Sequence, residues 1–84
     1  MNNEARIINI IAKTFNIDRI AVDENTGMDN VPEWDSLNHL RLVMSIEDEF
    51  GISLDPEDIV RLQDFQSALA IINKYTSELE NNGE

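Results

Sequence analysis

A chain of 84 residues with 17 acidic and 6 basic side chains, a formal charge of −11, has room for one small domain and repels nucleic acid phosphates and anionic lipid. The absence of cysteine excludes a disulfide framework, a thiolate zinc site and a cysteine nucleophile. No apolar run approaches the roughly 20 residues of a membrane span and no cationic start precedes one, so a soluble, unexported, cytoplasmic protein is expected, a monomer whose partners present basic surfaces.

Ile7, Ile8, Ile11 and Phe15 fall along one stripe of a first helix running from Asn3, a candidate cap, to Phe15. Asn16 tolerates the left-handed backbone that commonly follows a helix, and is the expected exit. Residues 17–35 contain Gly27 and Pro32 and no sustained period, so they read as a long loop. Loops of that length in a small domain are functional or pinned by their own side chains, and Ile17, Ile20, Val22, Met28, Val31 and Trp34 suggest pinning.

A second helix is predicted from the cap Asp35, with Leu37, Leu40, Val43, Met44, Ile46 and Phe50 as its apolar face and Gly51 as its stop. Asp55-Pro56-Glu57-Asp58 combines a cap, a proline at the first helical position and first-turn acids, which predicts a short third helix around Ile59 and Leu62. Asp64 should cap a fourth helix lined by Phe65, Ala68, Leu69, Ile72, Tyr75 and Leu79. The expected fold is all-α, a small bundle of three longer helices plus one short one with a long first loop, as a single domain over residues 1–80 with a frayed polar tail at 81–84.

The stretch Pro32-Glu33-Trp34-Asp35-Ser36-Leu37, opening a helix that runs through Leu42-Val43-Met44 to Glu47-Asp48-Glu49-Phe50-Gly51, resembles the acyl carrier proteins. Phe15-Asn16-Ile17 and Leu62-Gln63-Asp64-Phe65 extend the resemblance along most of the chain. In that family an Asp-Ser-Leu motif opens the second helix, and its serine receives 4′-phosphopantetheine from coenzyme A. The resemblance therefore implies that Ser36 is the attachment site flanked by Asp35 and Leu37, that a phosphopantetheinyl transferase and acyl-processing enzymes are the partners, and that the chain has no catalytic residues or resident metal of its own. It further implies that Asp35 is recognised by the transferase, whereas the residue itself reads equally as a plain cap.

Asn38, Arg41, Met44, Glu47, Asp48, Glu57 and Asp58 are the expected partner-recognition residues. Several exposed acids of about 0–1 kcal/mol each, Glu49 and Asp55 included, would make a weak, fast-exchanging contact that suits a shuttle. Met44, Phe50, Leu54, Ile59, Leu62, Ala68 and Ile71 or Ile72 read as core, and some of them, Met44 foremost, would line the acyl-chain cavity that the family carries between helices two and three. Asn38 and Arg41 stand where housekeeping fatty-acid carriers are acidic, and Trp34 where they have a small residue. That points to a specialised carrier, with an aminoacyl or peptidyl carrier as an alternative.

Two other readings compete with it. Ser36 and His39 lie three apart on one helix, as a hydrolytic dyad would, but no strand precedes the serine and no Gly-x-Ser-x-Gly elbow surrounds it, so His39 is expected to be an exposed residue beside the arm. A calcium loop begun at Asp23 places Met28 on the required glycine and Trp34 on the required glutamate, which leaves an acidic helical adaptor as the non-carrier alternative.

Overall fold

The computed structural model describes the backbone of residues 3–82 and side chains from Asn3 to Ser77, so the expectations for Leu79 and for the end of the tail lie outside the described residues. Four helices follow in order, α1 (Asn3–Phe15), α2 (Ser36–Phe50), α3 (Pro56–Arg61) and α4 (Phe65–Asn82), with a 3-10 turn at Arg19–Ala21. No strand occurs among the described residues, and the only β pairing there is an isolated bridge between Gly27 and Asp64.

Local chemistry sets most boundaries. Asn16 leaves α1 at φ 56° and Gly51 leaves α2 at φ 65°, in the left-handed region that frees the last carbonyls to accept from the following residues. Ile17 N–H accordingly donates to Ala12 O and Ile52 N–H to Glu47 O. Asp64 Oδ1 accepts from Ser67 N–H at 2.7 Å at the start of α4. Asn3 is the first helical residue of α1, and its amide reaches across to α4, donating to Asn73 Oδ1 and Thr76 Oγ1.

Helix α1 packs against both α2 and α4 and sits at the centre of the core. Ile7, Ile11 and Phe15 meet Leu42, Ile46 and Ile72 there, all essentially removed from water. At about 25 cal/mol per Å² of apolar surface, this dry seam is the main favourable contribution in so small a domain. Ile10 and Ala12 are also buried, which widens the stripe read from the sequence, while Ile8 is only half-buried.

The long loop is pinned, though not by every apolar residue expected to do so. Val22, Val31 and Trp34 are buried and Ile17 packs against the core. Ile20 is 93% exposed and Met28 41%, so neither side chain is a buried anchor. Polar bonds supply the rest: Asp23 N–H donates to Thr26 Oγ1, Asn25 N–H to Asp23 Oδ1, and Gly27 N–H to Asn30 Oδ1. The loop then joins the start of α4 through Met28 N–H to Gln63 O and Phe65 N–H to Thr26 O. A Cβ on Gly27 would stand 2.7 Å from Asp64 Cβ, so the close approach of these two backbones requires glycine.

Candidate functional site

Helix α2 starts where a carboxylate can satisfy its free N–H groups. Asp35 has extended backbone, and its Oδ1 accepts from Asn38 N–H at 2.9 Å. Ser36 is the first helical residue and is exposed, so its hydroxyl stands on a rigid element facing solvent. The N–H groups of Ser36 and Leu37 belong to the first turn and have no intrahelical acceptor. A phosphodiester on Ser36 Oγ would therefore lie at the positive end of the helix dipole, and only the neighbouring charge of Asp35 opposes it. The residues present fit a serine-linked phosphate.

Asn38 is half-buried, and its Nδ2 donates to Glu33 O at 2.9 Å, fastening the segment before the serine onto the helix. Its amide is thus engaged with its own chain. Trp34 is buried, stacked on Phe15 with ring centroids 4.7 Å apart, and its indole N–H donates to His39 Nδ1 at 3.1 Å. The other imidazole nitrogen lies 2.9 Å from Ile59 O of α3. Both ring nitrogens are therefore occupied, neither by Ser36, and no Ser36–His39 dyad forms. The expectation of a freely exposed His39 is corrected, because the ring bridges two elements.

The broad apolar face read on α2 divides in two. Val43, Ile46 and Phe50 are buried as expected, together with Leu42, which that reading omitted. Leu37, Leu40 and Met44 are 60%, 55% and 66% exposed. They follow Ser36 down the helix at i+1, i+4 and i+8, an uncovered apolar stripe beside that serine. Met44 is consequently not core. It borders one groove shared with Lys13 and Thr14 of α1 and with Arg41 and Ser45, and another shared with Glu47 and Asp48.

The acids sort by what they touch. Asp58 was expected on the docking surface but is 2% exposed. Its Oδ2 accepts from Lys74 Nζ at 2.9 Å and from Tyr75 Oη at 2.7 Å, and Arg61 Nη1 lies 3.8 Å from Oδ1. The hydrogen bond from Lys74, followed by that from Tyr75, holds the carboxyl below its usual range against the opposing effect of burial. Burial first, and then the bond to Asp58, pushes the Tyr75 phenol up. Glu47 is half-buried and its Oε2 accepts from Leu54 N–H at 2.8 Å, so it braces the α2–α3 connection. Glu49 pairs with Arg6, whose guanidinium also lies 4.1 Å over the Phe50 ring. Asp48, Asp55 and Glu57 are exposed and have no ion pair among the described residues, as do the cations Lys13 and Arg41.

An all-α bundle with an exposed serine at the head of α2 is the architecture that the resemblance to carrier domains implied. Residues 5–72 match the family model for the phosphopantetheine attachment site. The chain belongs to the acyl carrier proteins of the phosphopantetheine-binding family, whose attached group is 4′-phosphopantetheine. It is 30% identical over 70 residues to the acyl carrier protein of Lactobacillus johnsonii, an alignment that covers 83% of this chain and 88% of that one. No described helix is long and apolar enough to cross a membrane.

Proposed function

We propose that residues 1–80 form a single carrier domain in which Ser36 carries the phosphopantetheine arm and delivers a thioester-bound acyl group to successive enzymes in the cytoplasm. One observation carries the assignment: Ser36 is an exposed serine at the first position of a capped helix, inside the region matched to the family. In the loading step Ser36 Oγ attacks the pantetheine-side phosphorus of coenzyme A. A serine phosphoester bond forms, the pyrophosphate bond breaks, the hydroxyl proton leaves to the transferase or water, and adenosine 3′,5′-bisphosphate departs. The thiol of the bound arm supplies the acyl-carrying chemistry. The chain's own residues hold the serine outward on α2, brace the segment before it through Asn38, and offer the Leu37, Leu40 and Met44 stripe with Asp48 and Glu57 for docking. Coexpression with a broad-specificity phosphopantetheinyl transferase should add the mass of one arm to the wild type and none to Ser36→Ala. An arm retained by Ser36→Ala overturns the assignment.

The carrier is a specialised one. Arg41 is an exposed cation without an ion pair among the described residues, one turn beyond Leu37 on the docking stripe, and against a basic partner it replaces an attraction with a repulsion. A housekeeping malonyl transferase should load the Asn38→Asp, Arg41→Glu double variant faster than the wild type. Equal, efficient loading of both would identify an ordinary fatty-acid carrier.

A further inference from the structure

We propose that His39 is a positioning residue, a strut that fixes where α3 stands relative to Ser36 and so sets the register of the surface that a loading enzyme meets. The proposal rests on the carrier reading above.

The chemistry of its two partners determines the state of the ring. The Trp34 indole nitrogen can only donate and the Ile59 carbonyl can only accept. An imidazole holding both, at 3.1 and 2.9 Å, must be neutral, with Nδ1 bare and the proton on Nε2. No other protonation state satisfies both neighbours, since a proton on Nδ1 would set N–H against N–H. Trp34, His39 and Ile59 belong to the loop before the serine, to α2 and to α3, and Trp34 is itself stacked on Phe15 at the end of α1. A single ring therefore ties three elements together one turn from the attachment residue.

Helix α3 depends on such ties. It is six residues long, its cap residue Asp55 makes no side-chain cap bond, and among its apolar residues Ile59 is only half-buried while Val60 is 69% exposed. On the side of α4 it is held by Asp58 through Lys74 and Tyr75, and by Asp55 N–H donating to Tyr75 Oη. On the side of α2 its backbone meets His39, through Ile59 O. Glu57, an acid offered for docking, rides on this helix. Loss of the strut lets Glu57 shift relative to Ser36 without altering the serine, which His39 does not touch. The effect should appear in recognition of the carrier and not in the chemistry at the hydroxyl.

Two variants separate the possibilities. His39→Gln retains one acceptor and one donor, whereas His39→Phe retains a flat ring and neither. With coenzyme A saturating and the carrier varied, a broad-specificity transferase should show KM raised about threefold to tenfold for His39→Phe, the range given by losing the one bond of the two that reaches α3, with kcat within about twofold. His39→Gln should return KM towards the wild-type value. Long-range nitrogen–proton spectra of the wild type at pH 8 should show the proton on Nε2, and amide exchange in α3 should quicken in His39→Phe but not in His39→Gln. A proton on Nδ1, α3 exchange unchanged in His39→Phe, or equal KM values for His39→Phe and wild type would each overturn the proposal. Should the wild type accept no arm, the carrier reading fails, while the tautomer and exchange measurements still decide whether the strut exists.

Discussion

Helices α2 and α3 stand beside one another at the attachment end, joined by the His39–Ile59 bond, yet different forces hold them. Helix α2 has fifteen residues, a side-chain cap at one end, a left-handed glycine at the other, and Leu42, Val43, Ile46 and Phe50 buried between. Helix α3 has six residues, and the one buried among them is an aspartate. Apolar burial is non-directional and spreads over many atoms, so α2 is fixed collectively. Helix α3 is held by Ile59 on the core, by buried Leu54 and Leu62 on either side of it and by a few directional bonds, so losing one bond loosens it more than it would loosen α2. Under the proposed function that division is useful, because Ser36 stands on the rigid element and the neighbour that frames it can adjust.

The largest test of the difference is Ile46→Ala. It opens a cavity in the α1–α2 seam and should lower global stability by about 2–5 kcal/mol, measured by urea unfolding. A loss below about 1 kcal/mol would mean that the seam is not the main support.

Asp58→Asn should cost less, about 1–3 kcal/mol, because it leaves the partly exposed Lys74 able to turn to water. Its pH dependence is distinctive. The folded carboxyl is held below its ordinary value, chiefly by the bond from Lys74, so its contribution is present above the unfolded value near pH ~3.9 and is lost as the pH falls through the lower folded value. The stability difference between wild type and Asp58→Asn should therefore be full at pH 6 and shrink below about pH 4. A difference independent of pH would place the carboxylate outside the linkage.

The smallest effects sharpen the comparison most directly. Asp35→Ala removes a formed cap bond and should cost about 1 kcal/mol. Asp55→Ala removes a carboxylate that makes no cap bond and should stay within about 0.5 kcal/mol in parallel thermal melts. Equal costs would indicate that α3 is capped as firmly as α2.

Much of this was legible in the sequence wherever the deciding partner lies within four residues. Asp35 and Asp64 cap because the N–H they accept from is three residues on, and Asn16 and Gly51 end helices by their own φ. The place of Ser36 at the head of α2 follows from the same local chemistry and was readable. The exposed apolar stripe was not. Apolar residues cover more than half the circumference of α2, and periodicity cannot say which part a neighbour will cover. Packing of α1 against α2 decided it, burying Leu42 and leaving Leu37, Leu40 and Met44 in water.

Residue type and short spacing by themselves determined the all-α class and the acidic character, and the Asp35-Ser36-Leu37 motif singled out the candidate serine, since these depend on near neighbours in the chain. Only the tertiary structure decided the fate of groups whose partners are distant in the chain. Asp58 meets Lys74 and Tyr75, sixteen and seventeen residues on, and becomes a buried anchor where first-turn position suggested an exposed acid. His39 meets Ile59 twenty residues on and becomes a strut, and Gly27 is required by Asp64, on the far side of α2 and α3 in the chain. The physical reason is common to all three. A polar side chain carries its bonding capacity in its own formula, but burial and the identity of the partner are properties of the folded chain.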